Sequence, residues 1–253
     1  MWIRLRQIAL VAKDLDPVVA DLRAVFGLGE GYNDPGVDTF GLRNAVVPVG
    51  AQFIEVVSPV RDNTAGGRYL ERRGGDGGYM VILQCDDHAP VKARVDAQRV
   101  RKVVEHDGDH YRIMQLHPRD TGGTFLEIDV QVDGESMDGP WEPAGPTWQQ
   151  QRTDTVHGIT AAEIQCENPD VVAAKWSAAI GAPVQQAVLG AFTVPLDNAT
   201  LRFVAVADGR GEGLGGIDVR VRDVATTTKQ AAARGVGDGQ TFLIGGLRIR
   251  VLS

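Results

Sequence analysis

The sequence predicts an α+β protein made of four copies of a β-α-β-β-β unit, paired into two tandem domains. Three observations lead there. Strand-like runs open near residues 3, 79, 159 and 216, and each is followed by a helix with a recognisable start. The runs Gln52-Phe53-Ile54-Glu55-Val56 and Thr124-Phe125-Leu126-Glu127-Ile128 repeat one face, with Phe and Glu on one side and aliphatic residues on the other. The length, 253 residues, fits two domains of about 120–130 residues each better than one.

The first unit opens with a strand over 3–12. Asp14 and Pro17 start a helix whose apolar positions Val18, Val19, Leu22, Val25 and Phe26 recur at helical spacing, and Gly27 and Gly29 stop it. Strand-like stretches follow near 38–48 and 52–59. A Gly-rich loop over 66–78 leads to the second unit, with a strand at 79–85, a helix over about 88–98 after Asp86-Asp87, and strands near 100–105, 110–116 and 124–131. In the third unit a strand opens at Ile159, and Asn168-Pro169-Asp170 start a helix carrying Val171, Val172, Trp176 and Ile180 and ended by Gly181. Setting Gly181 on Gly27 also sets Asn168 on Asp14 and Trp176 on Leu22. The fourth unit opens at Gly216-Ile217-Asp218, continues through a helix near 224–234 and ends in a strand over 247–252. Each unit alone buries one sheet face, so the units must pair. Between Asp133 and Asp154 the chain is rich in Gly and Pro and lacks periodicity. It reads as a linker over 134–154 joining domains over 1–133 and 155–253, and Trp141 and Trp148 imply that it packs down.

Hydrophobic content of 43% and charged content of 23% describe a globular protein. A formal charge of −7 argues against a nucleic-acid partner, which would call for a basic face. No stretch approaches the ~20 apolar residues of a membrane helix, so no membrane partner is expected. The first residues run directly into a strand without a signal-peptide layout. Cys85 and Cys166 read as small buried thiols, in keeping with a cytoplasmic protein.

A carboxylate on an otherwise apolar strand needs a partner, because burying it alone is expensive. The segment His117-Pro118-Arg119-Asp120-Thr121-Gly122-Gly123-Thr124-Phe125-Leu126-Glu127, with Gln7-Ile8-Ala9-Leu10-Val11-Ala12-Lys13-Asp14-Leu15, Phe53-Ile54-Glu55-Val56-Val57-Ser58-Pro59 and Arg68-Tyr69-Leu70-Glu71-Arg72-Arg73-Gly74-Gly75, resembles the vicinal oxygen chelate superfamily: glyoxalase I, bleomycin-resistance proteins, methylmalonyl-CoA epimerase and extradiol dioxygenases. The resemblance is strongest over 3–131. It implies glyoxalase-like domains with cup-shaped mixed sheets and, in the first cup, a divalent metal (Zn, Mn, Ni, Co or Mg) held by Gln7, Glu55 and Glu127. The fourth ligand place falls on Met80, where the family usually has His, and a thioether is a poor ligand for these ions. Two activities follow. One is a metal-dependent lyase, isomerase or epimerase acting on a small α-oxygenated carbonyl or thioester through an enediolate, with Glu127 or Glu55 as general base. The other is a metal-free binder of the antibiotic-sequestering type, its cup lined by Phe40, Phe53, Tyr79, Met80 and Phe125. The partner is a small molecule in either case, and a homodimer stays open.

Other readings of the same residues are weighed beside these. Gln7 lies in alternation with Leu5, Ala9 and Val11, where a structural amide is the plain alternative. Glu55 and Glu127 have Arg4, Arg6 or Arg112 as possible ion-pair partners. His117 reads as a turn residue bonding to backbone, His88, His106 and His110 as exposed. In the C-terminal half Glu55 corresponds to Phe203 and Ile249, and Gln7 to Ala161 and Gly216, so no ligand set is expected there.

Overall fold

The computed structural model describes residues 1–253, apart from the side chain at position 189. The first half runs β1 (Ile3–Val11), α1 (Leu15–Phe26), a 3-10 turn (Pro35–Phe40), β2 (Leu42–Val49), β3 (Gln52–Pro59), α2 (Ala65–Arg73), β4 (Gly77–Cys85), α3 (His88–Ala97), β5 (Lys102–Asp107), β6 (Tyr111–Leu116) and β7 (Phe125–Gln131). These strands form one sheet in the order β2-β3-β1-β4-β7-β6-β5. β1 runs parallel to β3 and antiparallel to β4, and β4 runs parallel to β7, so two sister units meet along β1 and β4. The second half runs β8 (Val156–Cys166), α4 (Pro169–Ile180), β9 (Gln185–Gln186), β10 (Phe192–Pro195), β11 (Thr200–Ala205), β12 (Gly213–Val221), α5 (Val224–Arg234), β13 (Thr241–Ile244) and β14 (Leu247–Leu252). Its sheet, ordered β13-β14-β12-β8-β11-β10-β9, repeats the first with β8 and β12 at the seam. This is the α+β architecture of two tandem glyoxalase-like domains.

The helix starts and stops follow from local chemistry. Asp14 accepts from the Asp16 N–H at the start of α1, and Gly27 ends it in the left-handed conformation, as Gly181 ends α4. Leu15, Val18, Leu22, Val25 and Phe26 form the buried stripe of α1. The Gly-rich stretch expected to be a loop instead forms α2. Thr64 caps it through its hydroxyl on the Gly67 N–H, Gly74 closes it, and the Tyr69 hydroxyl donates to the Gly78 carbonyl 2.7 Å away. Good caps and one buried aromatic outweigh the low helix propensity of two glycines. Near 38–48 the chain first makes the 3-10 turn, and only then the strand.

One hydrophobic core runs through both halves, taking in Leu5, Ile54 and Val81 from the first and Ile164, Phe203 and Ile249 from the second. The two sheets approach where β4 meets β12: a Cβ on Gly78 would lie 2.5 Å from the Leu214 carbonyl oxygen, so only glycine fits. The segment between the sheets packs down as expected, with Trp141 and Trp148 buried. Both cysteines are buried and unpaired. Among the described residues no helix is long and apolar enough to cross a membrane.

Candidate functional site

The first sheet brings Glu55 and Glu127 to one cavity of about 280 Å³, together with Gln7, Phe40, Tyr79, Met80 and Phe125. Register explains the convergence. Ala9 pairs with both Glu55 on β3 and Met80 on β4, and Ile82 of β4 pairs with Glu127 on β7, so the carboxylates flank the β1/β4 seam. A bulge in that pairing between Leu5 and Gln7 sends Leu5 into the main core with Ile8 and Leu10, while Gln7 joins the cup. Gln7 therefore does not interrupt the apolar row that simple alternation assigns to it.

An amide network holds the acids. Glu55 accepts from Asn44 Nδ2 at 2.6 Å and from Gln7 Nε2 at 2.9 Å. Gln7 Oε1 accepts from the Trp141 indole N–H at 2.8 Å. An indole nitrogen can only donate, so it fixes the amide: oxygen toward Trp141, nitrogen toward Glu55. Across the seam, Gln115 stands opposite Glu127 and donates to it at 2.7 Å, with its nitrogen also 3.5 Å from the Met80 sulfur. Behind Glu127 lies Asp129, fully buried, accepting from the Tyr111 hydroxyl at 2.5 Å.

Burial dominates the electrostatics. It pushes the Glu55 carboxyl up to about 7, helped by the charges of Glu127 and Asp34 and opposed by the Asn44 and Gln7 hydrogen bonds. Burial raises Glu127 too, against the bond from Gln115, and lifts Asp129 well above the ordinary carboxylate range, with the Glu127 charge adding to it. No arginine relieves these acids. Arg4 serves Gln84 and the carbonyls of the linking segment. Arg6, fully buried, bonds to the Ala51 and Met137 carbonyls and lies over the rings of Phe53, Trp141 and Trp148.

Phe53, expected in the cup, is absent from its lining. It shares the strand face of Glu55, but its end of β3 is covered by Trp148, edge-on at 5.0 Å, and Trp141, stacked at 6.5 Å. Tyr79 and Phe125 do line the cup, in T-shaped contact at 5.0 Å, and Tyr69 backs Tyr79 edge-on at 5.0 Å. Asn44 and Gln115 were not singled out in the sequence, and Trp141 only as a packing residue of the linker; of the three, Gln115, opposite Glu127 in a hairpin register, left a signal of its site role. His117 makes the expected turn contact, its Nδ1 accepting from the Arg119 N–H. His88 is buried, not exposed, with Nε2 2.7 Å from the Ile128 carbonyl. His110 is exposed and outside the cup.

The second sheet corrects a register. Phe203 and Ile249 point into the core, and the cup face of their strands carries Arg202, Arg248 and Arg250. A slip of one residue exchanges the two faces of a strand. These arginines pair with Glu163 and Asp218: Arg202 with Glu163 at 2.8 Å and Asp218 at 3.0 Å, Arg248 with Glu163 at 2.6 Å, and Arg250 with Asp218. The second cup is therefore charged, with three arginines around two acids and both acids paired.

A family model described as a glyoxalase-like domain matches residues 8–180. The chain belongs to that family. A variant of 4-hydroxymandelate synthase from Streptomyces coelicolor is similar at a TM-score of 0.70 and 16% identity, over 92% of this chain and 75% of that one. A hypothetical protein from Staphylococcus aureus is similar at 0.65 and 12% identity, over 100% and 99%. A variant of methylmalonyl-CoA epimerase from Streptomyces coelicolor matches at 0.46 and 23% identity, over 52% and 99%. No curated protein matches the sequence. The two longer likenesses concern the fold.

The donor set decides whether the cup suits a metal. The Gln7 oxygen is committed to Trp141, and three amide N–H groups, from Gln7, Asn44 and Gln115, point at the carboxylates a cation would share. No imidazole lines the cavity, and among the described residues no group of three His, Cys, Asp or Glu side chains is gathered. Such ions require several free lone pairs at roughly 2.0–2.2 Å. These residues do not fit one.

Proposed function

We propose that this glyoxalase-like protein binds a small molecule without metal, in the cup of a domain over residues 1–133 that a linker (134–154) joins to a second domain over 155–253. Phe40, Tyr79, Met80 and Phe125 supply the apolar walls, and Glu55 and Glu127 orient the ligand by accepting hydrogen bonds. The observation that carries the reading is the chain Trp141–Gln7–Glu55–Asn44, which commits the metal-donor oxygen of the family pattern to a tryptophan. Met80 at the usual imidazole place serves as an adaptable wall.

The enediolate reading fares worse on charge. An oxyanion forming in this cup would sit beside Glu55 and Glu127, and among the described lining residues no Lys, Arg or His offers a counter-charge. Glu55, near 7, has the proton affinity of a general base but lacks the electrophilic partner that proton abstraction requires. The buried, unpaired cysteines favour a reducing, cytoplasmic setting.

Elemental analysis of protein purified without added metal tests the proposal. The expected result is far less than one equivalent of divalent metal and no rise in melting temperature with Mn²⁺, Zn²⁺, Ni²⁺ or Mg²⁺. Near-stoichiometric metal, lost in a Glu55→Ala/Glu127→Ala double variant, would overturn it.

A further inference from the structure

The charge and the ring faces of the cup together define what it holds. Four of its lining side chains are carboxylic acids: Asp34 from the turn before β2, Glu55 from β3, Glu127 from β7, and Glu142 from the segment between the sheets. Among the described lining residues none is Lys, Arg or His. The second cup, by contrast, sets three arginines against its acids, so the acidic bias belongs to this cavity and does not follow from the fold.

Aromatic groups face the same space. Tyr79 and Phe125 form the inner wall, Tyr111 flanks Glu127, and Phe40 stands at the mouth with 53% of its surface exposed. Phe40 gives the mouth an apolar ring that a bound ligand can cover. Ring faces carry negative quadrupole charge, and beside carboxylates they select cations. A metal ion needs several lone pairs at close range, which the amide donors deny. A quaternary ammonium group needs no lone pair, only carboxylates and aromatic groups around a sheltered space, and both line this cavity. The volume, about 280 Å³, lies just below the usual range of ligand pockets (~300–1,000 Å³) and limits the ligand to a compact one.

We infer that the cup takes a compact organic cation, a quaternary ammonium compound with an aromatic or branched aliphatic body, with its charge between Glu55 and Glu127 and its apolar body against Tyr79, Phe125 and Phe40. This rests on the metal-free reading of the same site and narrows it to one ligand class. The cation relieves a repulsion built into the empty cup, where the Glu127 and Asp34 charges both disfavour ionised Glu55. The titratable groups facing the charge are Asp34, Glu55, Glu127, Glu142, Tyr79 and Tyr111, with Asp129 behind Glu127; burial raises both tyrosines above their ordinary value and keeps them neutral.

Calorimetric titration with three probes of similar size tests the inference: benzyltrimethylammonium, benzyl alcohol and phenylacetate. The cation is expected to bind about tenfold or more tighter than phenylacetate, the scale of one desolvated cation–π contact with a charge pair. Glu127→Gln and Glu55→Gln should each weaken the cation more than the alcohol. The wild-type comparison of cation with anion stands whether or not either variant folds. Phenylacetate bound as tightly as the cation, or no probe bound at all, overturns the inference. Benzyl alcohol matching the cation overturns the ligand class while leaving a metal-free binding cup intact, whereas stoichiometric metal in the purified protein removes the reading beneath both.

Discussion

Replacing Glu55 by Gln keeps the size of the side chain and removes its titration. In the native cup, burial lifts this carboxyl from its ordinary 4.5 to about 7. A raised acid stabilises the fold only while protonated: its contribution is complete below about pH 4.5 and is lost as pH climbs to about 7. One pH unit of displacement is worth about 1.4 kcal/mol, so between roughly pH 5 and pH 8 the native protein forfeits about 2.5 kcal/mol at this one residue. The variant forfeits none of it. Gln in this place also turns one amide N–H toward Gln7 or Asn44, itself a donor, at a pH-independent cost of about 1–1.5 kcal/mol. That cost cancels in the comparison between pH values. Urea unfolding of both proteins across this range is the assay. The variant should be less stable than the native protein near pH 5 and more stable near pH 8, the stability difference changing by about 2.5 kcal/mol. Two curves that run parallel would refute the reasoning, because they would mean that Glu55 titrates as an exposed acid.

Trp141→Phe keeps an aromatic ring over Phe53 and deletes the donor to Gln7, leaving a buried amide oxygen unpaired; urea unfolding should show a loss of about 1–3 kcal/mol. Gly123→Ala forces a side chain into φ +83° with its Cβ 2.5 Å from the Glu212 carbonyl oxygen, and the melting temperature should fall by an amount equivalent to at least about 2 kcal/mol. A Gly123→Ala protein with an unchanged melting temperature would show that this turn is not held as described.

The fold was largely legible because its units announce themselves locally. Asp14 and Gly27, then Asn168 and Gly181, bracket helices at the same offset, and Phe53–Glu55 and Phe125–Glu127 mark sister strands. The two carboxylates were legible for the same reason. What stayed hidden depends on distance or on a single-residue shift. Trp141 reaches Gln7 from 134 residues away, within a stretch that lacks any period. The β1 bulge and the faces of β11 and β14 turn on one residue each, which a period of two cannot arbitrate when both faces carry long side chains such as Arg202 and Phe203. α2 was hidden because Gly66 and Gly67 read as loop, while the hydrogen bond from Tyr69 that anchors it closes only in three dimensions.

Two acids from sister halves of a duplicated lobe share one buried cup and sense each other there. Carbon-detected NMR titration of the glutamate carboxyl groups, in native protein and in Glu127→Gln, addresses it most directly. Glu55 is expected to titrate near 7, and this value to fall when the Glu127 charge is removed. A Glu55 titration near 4.5, indifferent to the substitution, would contradict it.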